Sequence, residues 1–194
     1  MTAQISDSVQ YTNRTFSLRG VKGSGLFEPR QHGLNPQMVS TACYRGYICT
    51  YDVSNGGLFL EELLLGLEPR EELAARHGKG KPLFGRVPRY MGQPHGSVVY
   101  EQLHWPTLFS GGLLVATDFI QELSVHTGIH PAWRFKEVHE LLFEEGRLVE
   151  AFDCSVAMTR VRERMHVSTL TPGRSLSRSE IEQRLEALFR LDYS

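Results

Sequence analysis

The sequence has few cysteines, no long hydrophobic run and almost no net charge, and each absence excludes a class of protein. The three cysteines are an odd number at no metal-ligand spacing, which argues against a disulfide framework or a zinc site. The longest apolar stretches, 58–67 and 112–120, are shorter than the ~20 residues that a transmembrane helix needs. Lys and Arg number 21 against 22 Asp and Glu, so the net charge of −1 argues against a nucleic-acid partner.

The N-terminal segment MTAQISDSVQYTNRTF is polar and lacks the basic region and apolar run of a secretory signal. Cys43 and Cys49 are predicted on one strand, roughly 20 Å apart at ~3.3 Å per residue, which is too far for a disulfide. Free thiols without a secretory signal are typical of a reducing compartment. We therefore expect a cytoplasmic protein without a membrane anchor.

The composition is 41% hydrophobic and 22% charged, which is typical of a globular chain that buries a full core. Chains of this length commonly form one domain, so we expect a single domain over residues 1–194. The sequence contains no complete motif for a cofactor or a metal, and neither is predicted.

Apolar runs separated by glycine-containing or polar turns predict antiparallel hairpins. The clearest hairpin joins a strand at 44–53 to a strand at 58–60 through the turn Ser-Asn-Gly-Gly. Similar hairpins are predicted at 9–18, 98–115 and 138–149. We expect these units, which occupy about 9–66 and 97–170, to form a sandwich or a barrel.

Two segments predict helices. Residues 68–77 begin with Glu-Pro and acidic residues and are followed by glycine. Residues 179–191 begin with a capping box, Ser179 with Glu182, and carry an apolar face that should dock on the sheet. The predicted fold class is therefore mainly β with a C-terminal amphipathic helix, or α+β in the broad sense.

Two segments rich in glycine and proline, 19–36 and 78–96, are predicted to be long loops. Loops of this length inside a compact domain are often functional. The second loop is basic, so it either contacts an anionic ligand or an acidic protein surface, or is merely solvated. The candidate binding residues in it are Lys79, Lys81, Arg86 and Arg89.

The sequence STACYRGY at 40–47 is followed by TYDV at 50–53 and LFL at 58–60. A later block joins FSGGL at 109–113 to VHTG at 125–128. Together these blocks resemble a family of uncharacterised bacterial cytoplasmic β-rich proteins. The resemblance implies a bacterial, mostly β single domain and does not imply a particular reaction.

Arg45 and Tyr47 are candidate binding residues. On a strand, the Arg45 side chain shares a face with Tyr47 and Cys49, and a guanidinium on that apolar face needs a partner. One interpretation is a structural pair with a carboxylate such as Asp52 or Glu61, or stacking on tyrosine. The other is a guanidinium that binds an anionic ligand or partner.

His126, His130 and His139 fall within fourteen residues, with Asp118 and Glu140 nearby. A metal site needs three or four donors that converge at ~2.0–2.2 Å, whereas His126 and His130 on a straight strand lie ~13 Å apart. We therefore predict no metal site and no catalytic residue, and retain His126 and His130 as candidate binding residues. The alternative is that these histidines form hydrogen bonds within the sheet.

These patterns favour a non-enzymatic binding module that presents its loops to a protein partner or an anionic ligand, as toxin-neutralising proteins do. The alternative is a small enzyme or ligand-binding β-protein whose polar pocket contains His126, Asp118 and Arg45. Fold alone does not determine function, so the two alternatives must be distinguished at the site. The enzyme or ligand-binding alternative requires Arg45 and His126 to lie in one cavity, and the binding module does not.

Overall fold

The structure is a computed structural model that describes residues 4–92, 97–123 and 130–169. Within these ranges, ten strands form one sheet and two segments form α-helices, so the predicted mainly β fold is confirmed. The strands are β1 (Ser8–Tyr11), β2 (Arg14–Ser24), β3 (Tyr47–Ser54), β4 (Gly57–Leu65), β5 (Arg89–Tyr90), β6 (Val98–Tyr100), β7 (Trp105–Pro106), β8 (Ser110–Phe119), β9 (Phe135–Glu144) and β10 (Arg147–Asp153). The helices are α1 (Pro69–Arg76) and α2 (Ser155–Thr169).

Three of the predicted hairpins are confirmed, because β1 pairs with β2, β3 with β4, and β9 with β10. Two-residue turns with positive φ match the right-handed twist of the flanking strands. The turn residues with positive φ are Thr12 and Asn13, Asn55 and Gly56, and Glu145 and Gly146.

The hairpin predicted over 98–115 is wrong. Strand β6 pairs with β4 and β5, whereas β8 pairs with β2 and β9. Gly111, predicted as a turn residue, lies inside β8 at φ 138°, opposite Gly23 of β2. Its missing side chain allows two backbones to approach closely instead of reversing the chain.

The sheet closes into a ring. Seven strands follow the order β10-β9-β8-β2-β1-β3-β4, and the register pair of Arg147 with Gly57 joins β10 back to β4. The pairing of β1 with β3 is parallel, so the sheet is mixed rather than wholly antiparallel. Closure of the sheet favours the barrel over the sandwich that the sequence also allowed.

The larger hydrophobic cluster collects side chains from all seven strands and fills the ring. A fully buried leucine contributes roughly 1.5–3 kcal/mol relative to its exposed state. A second cluster lies on the outer face of β8 and β9 and is covered by α2. Successive side chains of β8 point to opposite faces of the sheet, and this separates the two clusters. Leu113 and Val115 belong to the first cluster, and Leu114 and Ala116 belong to the second.

The helix predicted at 68–77 is confirmed as α1. The helix predicted at 179–191 lies outside the described residues, and α2 is a helix that the sequence reasoning did not predict. The Asp153 carboxylate accepts a hydrogen bond from the Ser155 backbone N–H at 2.9 Å, so it satisfies one free donor at the start of α2. No α-helix in the described part of the chain combines the length and apolar character that a bilayer crossing demands.

The loop predicted over 19–36 is wrong in its first part, because residues 19–24 belong to β2 and pair with β8. A bulge between Leu18 and Gly20 shifts the register at that point. The loop predicted over 78–96 is irregular along most of its described length, apart from β5.

Aromatic side chains join the two loops to each other and to β7. Phe27 stacks on His32 with ring centroids 4.9 Å apart, and Phe84 stacks on Trp105 with centroids 3.8 Å apart. Phe84 also makes edge contacts with Phe27 and His32. Such pairs stabilise by about 0.5–1.5 kcal/mol beyond their buried area, so the two loops form one packed unit.

Glu140 is a buried carboxylate on the outer face of β9. It is 2% exposed, and its Oε2 atom accepts no hydrogen bond from any described residue. Burial raises the pKa of Glu140, and the positive charge of Lys22 opposes that rise. A carboxyl group with a raised pKa in the folded state stabilises folding below its unfolded pKa, and that contribution is lost as pH rises through the folded pKa.

We therefore expect Glu140→Gln to stabilise the protein relative to wild type at neutral pH by about 1 kcal/mol, with a smaller gain at about pH 4. Urea unfolding of both proteins across this pH range measures the difference. Glu150→Gln, an exposed position on β10, controls for the loss of one carboxylate. A gain that is constant with pH would show that the ionised form of Glu140 is not the destabilising species.

Candidate functional site

A cavity of about 570 Å³ lies at the end of the ring where β1 and β3 begin. Because β2 runs antiparallel to β1, the later part of β2 reaches the same end. The cavity, called here the Arg45 cavity, has apolar walls and a few charged groups. Its lining includes Ile5, Asp7, Leu18, Arg19, Leu26, Phe27, Glu28, Cys43, Arg45, Tyr47 and Tyr51.

Arg45 lies in the turn before β3 and not on a strand as predicted, because Gly46 at φ 78° turns the chain before β3 begins. Its partner is Asp7 rather than Asp52 or Glu61, through an ion pair with the Nη2 atom. The predicted stacking on tyrosine is confirmed, since the guanidinium carbon lies 4.5 Å from the Tyr47 ring centroid.

Asp7 is the buried half of this pair. The Asp7 side chain is 7% exposed, whereas the Arg45 side chain is 40% exposed. The Asp7 carboxylate also accepts a hydrogen bond of 2.6 Å from the Cys49 backbone N–H. Asp7 therefore joins the approach to β1 with β3 and holds the Arg45 guanidinium in place.

Arg45 retains donor capacity toward the cavity. Its Nε atom donates to the Tyr47 carbonyl at 2.8 Å, and Nη2 contacts Asp7. Its Nη1 group makes no hydrogen bond to any residue that the structure describes. A guanidinium carries five N–H donors, so the exposed edge of Arg45 is free to bind an acceptor.

Tyr47, Tyr51 and Cys43, which line the cavity, are protonated at neutral pH, and so is the buried thiol of Cys49. The Tyr47 hydroxyl donates to Glu28 Oε2 at 3.1 Å, and burial together with the Glu28 charge raises the Tyr47 pKa. Burial likewise raises the pKa of Tyr51, Cys43 and Cys49. A thiol is nucleophilic as the thiolate, so these cysteines are not activated.

The basic residues of the second loop do not line the Arg45 cavity. Lys81 Nζ donates to the Gly33 carbonyl at 2.6 Å, which ties the two loops together. Arg86 Nε donates to the Gln102 carbonyl at 3.1 Å. Lys79 is exposed. These contacts give Lys81 and Arg86 structural roles.

Arg89 forms a two-point ion pair with Glu101, at 2.6 and 2.9 Å. Together with Arg86 it lines a separate cavity of about 630 Å³ that also contains Glu61 and Glu62. All three nitrogens of the Arg89 guanidinium donate to Glu101 or to the Met91 sulfur, so Arg89, unlike Arg45, has no free edge for an anionic ligand.

The two described histidine candidates, His130 and His139, do not line the Arg45 cavity. His126 lies outside the described residues, so its relation to Arg45 stays a prediction. His139 Nε2 contacts Glu137 Oε1 at 3.0 Å, and Asp118 pairs with Arg14 at 3.0 Å, away from the Arg45 cavity. Among the described residues no cluster of three or more histidine, cysteine, aspartate or glutamate side chains is arranged to hold a metal.

Sequence reasoning found Arg45 and Tyr47 but missed Asp7 and Glu28. Asp7 is separated from Arg45 by 38 positions and meets it only because β1 and β3 pair in parallel. The one local signal was a carboxylate directly before an alternating strand, which many strands share. The cavity is therefore a product of the topology.

No family is identified. Comparison with protein-family models gives no match, and comparisons with curated proteins and with solved structures give no significant match. The resemblance of the two sequence blocks to an uncharacterised bacterial family stays a prediction. The Arg45 cavity therefore provides the main evidence on function.

Proposed function

We propose that the protein is a non-enzymatic binding module and that the Arg45 cavity takes a small anionic ligand with an apolar body. The observation that carries the proposal is that the Arg45 guanidinium is held in place and is still partly exposed. Asp7 and Tyr47 fix its guanidinium, and yet 40% of the side chain stays exposed at the cavity. A cation fixed in this way loses little conformational freedom when a ligand binds.

The shape and lining of the cavity indicate the ligand class. Small-molecule sites are mostly apolar clefts of about 300–1,000 Å³ with a few polar groups that fix orientation. Leu18, Leu26 and Phe27 supply apolar wall, and the Arg45 fork suits a carboxylate or a phosphate. A carboxylate on a hydrocarbon or aromatic body matches both features.

The chemistry of the described groups supports binding over catalysis. Cys43, Cys49 and Tyr51 have raised pKa values, so none supplies an activated nucleophile or a base near neutral pH. The alternative enzyme site required Asp118 beside Arg45, and Asp118 pairs with Arg14 elsewhere in the fold.

The test is isothermal titration of the full-length protein with four probes: benzoate, hexanoate, citrate and inorganic phosphate. We expect the apolar carboxylates to bind, and we expect Arg45→Lys to weaken them at least about tenfold because lysine lacks the planar fork. Lysine retains a positive charge beside Asp7, so the thermal midpoint should change little. Arg160→Lys, at an exposed position on α2, is the matched control.

Two results would contradict the proposal. The first is that wild type binds none of the carboxylates. The second is that Arg45→Lys and Arg160→Lys bind them equally well, which would place the ligand away from the Arg45 guanidinium.

A further inference from the structure

A second group of basic side chains lies on the outer face of the ring. Arg19 belongs to the bulged part of β2, His130 precedes the short 3-10 turn Ala132–Arg134, and Arg134 ends that turn just before β9. We call these three residues the Arg19 cluster. Arg19 also lines the Arg45 cavity, but the other two residues do not.

His130 is the residue that both arginines contact. Arg19 Nη1 donates to the His130 carbonyl at 3.3 Å, and Arg134 Nη1 lies 3.1 Å from His130 Nδ1. Because Arg134 can only donate, a neutral His130 accepts at Nδ1 and carries its proton on Nε2. The Nε2–H group is thus a further donor of the same residue.

Aromatic rings hold the three groups in position. The Arg19 guanidinium carbon lies 4.7 Å from the centroid of Phe135, and that of Arg134 lies 4.9 Å from the centroid of Trp133. The His130 ring lies 4.8 Å from Phe119. Stacking satisfies the faces of the guanidinium groups and leaves their N–H edges to find acceptors.

The positive charge of the cluster is not balanced within the described residues. Arg14, Arg45 and Arg89 each contact a carboxylate, whereas neither Arg19 nor Arg134 forms an ion pair with a described residue. The Nε atoms of both Arg19 and Arg134 are buried and have no hydrogen-bond partner in the part of the chain that the structure describes. Unpaired buried cations and donors are costly, so they are rarely left without an acceptor.

The ionisation equilibria show the same imbalance. Burial lowers the pKa of Arg19 to about 10 and also lowers that of Arg134. Burial and the positive charges of both arginines lower the His130 pKa. Among residues 4–92, 97–123 and 130–169 no carboxylate opposes these shifts, and both arginines remain charged at neutral pH.

We propose that Arg19, His130 and Arg134 form an oxyanion-binding site that is separate from the binding proposed for Arg45. Two guanidinium groups and one imidazole N–H supply several donors to one region, and charge-assisted hydrogen bonds of this kind are the strong ones. A tetrahedral phosphate group offers acceptors in several directions and a charge near −2, which balances two arginines.

The oxyanion has two sources to distinguish. One is a free or ligand-borne phosphate. The other is a carboxylate of the chain itself beyond residue 169, where the acidic residues are Glu180, Glu182, Glu186 and Asp192. Both sources provide an acceptor to the same three groups, so the experiment compares them directly.

The probe is inorganic phosphate, titrated into full-length protein by calorimetry, with the His130 imidazole followed by NMR. We expect saturable binding with a shift of the His130 signal, and at least a tenfold loss of affinity in Arg134→Met. Arg160→Met, an exposed position on α2, is the matched control for the loss of one arginine. If Arg134→Met does not fold, Arg134→Lys replaces it in the comparison of phosphate affinity.

A second protein carries Glu180→Gln, Glu182→Gln, Glu186→Gln and Asp192→Asn. If phosphate binds only to this protein and not to wild type, the site exists and its natural occupant is a carboxylate of the chain. If neither protein binds phosphate, or if Arg134→Met and Arg160→Met bind it equally, the site is overturned. His130 and Arg134 do not line the Arg45 cavity, so the His130 signal and the Arg134→Met comparison report on this site whether or not the Arg45 proposal holds.

Discussion

Replacement of Gly111 by alanine is expected to lower the free energy of unfolding by about 4 kcal/mol, the sum of backbone strain and overpacking. Gly111 lies in β8 at φ 138°, a conformation that favours glycine. A Cβ atom there would lie 2.0 Å from the Lys22 carbonyl oxygen and 2.7 Å from the Gly23 Cα atom. Both contacts are with the backbone of β2, so no side chain can move aside.

The matched control is Gly56→Ala. Gly56 also has positive φ, 72°, but an added Cβ would meet no atom within 4 Å. We expect a cost of about 1 kcal/mol, which is the conformational term alone. Urea unfolding of the two variants measures the difference, and equal costs would mean that the close approach of β2 and β8 does not constrain the fold.

The second large effect is expected for Arg45→Met. Removal of one partner of a buried ion pair costs about 3–5 kcal/mol, because the remaining charge is left uncompensated. Asp7 is the buried partner, but Arg45 is partly exposed, so we expect a loss of about 2–3 kcal/mol. Thermal and urea unfolding measure this loss.

The double variant Asp7→Asn with Arg45→Met tests the cause. Asparagine keeps a carbonyl oxygen for the Cys49 N–H and removes the charge that Arg45 balanced. The double variant should therefore be more stable than Arg45→Met alone. If the two single effects instead add, the pair is not coupled and the loss in Arg45→Met comes from packing.

Local turn chemistry explains how much of the fold was predictable. The hairpins at 9–18, 44–60 and 138–149 carry turn residues that accept positive φ, and all three formed as expected. The hairpin predicted over 98–115 and the loop predicted over 19–24 were wrong for the same reason. Glycine permits both a turn and a close approach of two strands, and the sequence does not distinguish these uses.

The Arg45 cavity was predictable only in part. Arg45 and Tyr47 are two positions apart in the sequence, and a guanidinium among apolar residues signals a partner. Its identity as Asp7 depends on the parallel pairing of β1 with β3, which leaves no local trace. In the Arg19 cluster, His130 was a candidate, but the two arginines approach it from different strands and turns and were not predicted.

The parallel pairing of β1 with β3 also has a consequence for the order of assembly. Each of the three confirmed hairpins closes a short loop and can form early, since loop closure costs more entropy as the loop lengthens. Strands β1 and β3 can pair only after the loop of residues 12–46 between them has closed. This pairing joins the β1–β2 hairpin to the β3–β4 hairpin within the ring. Contacts between residues that are distant in sequence are the ones that slow folding.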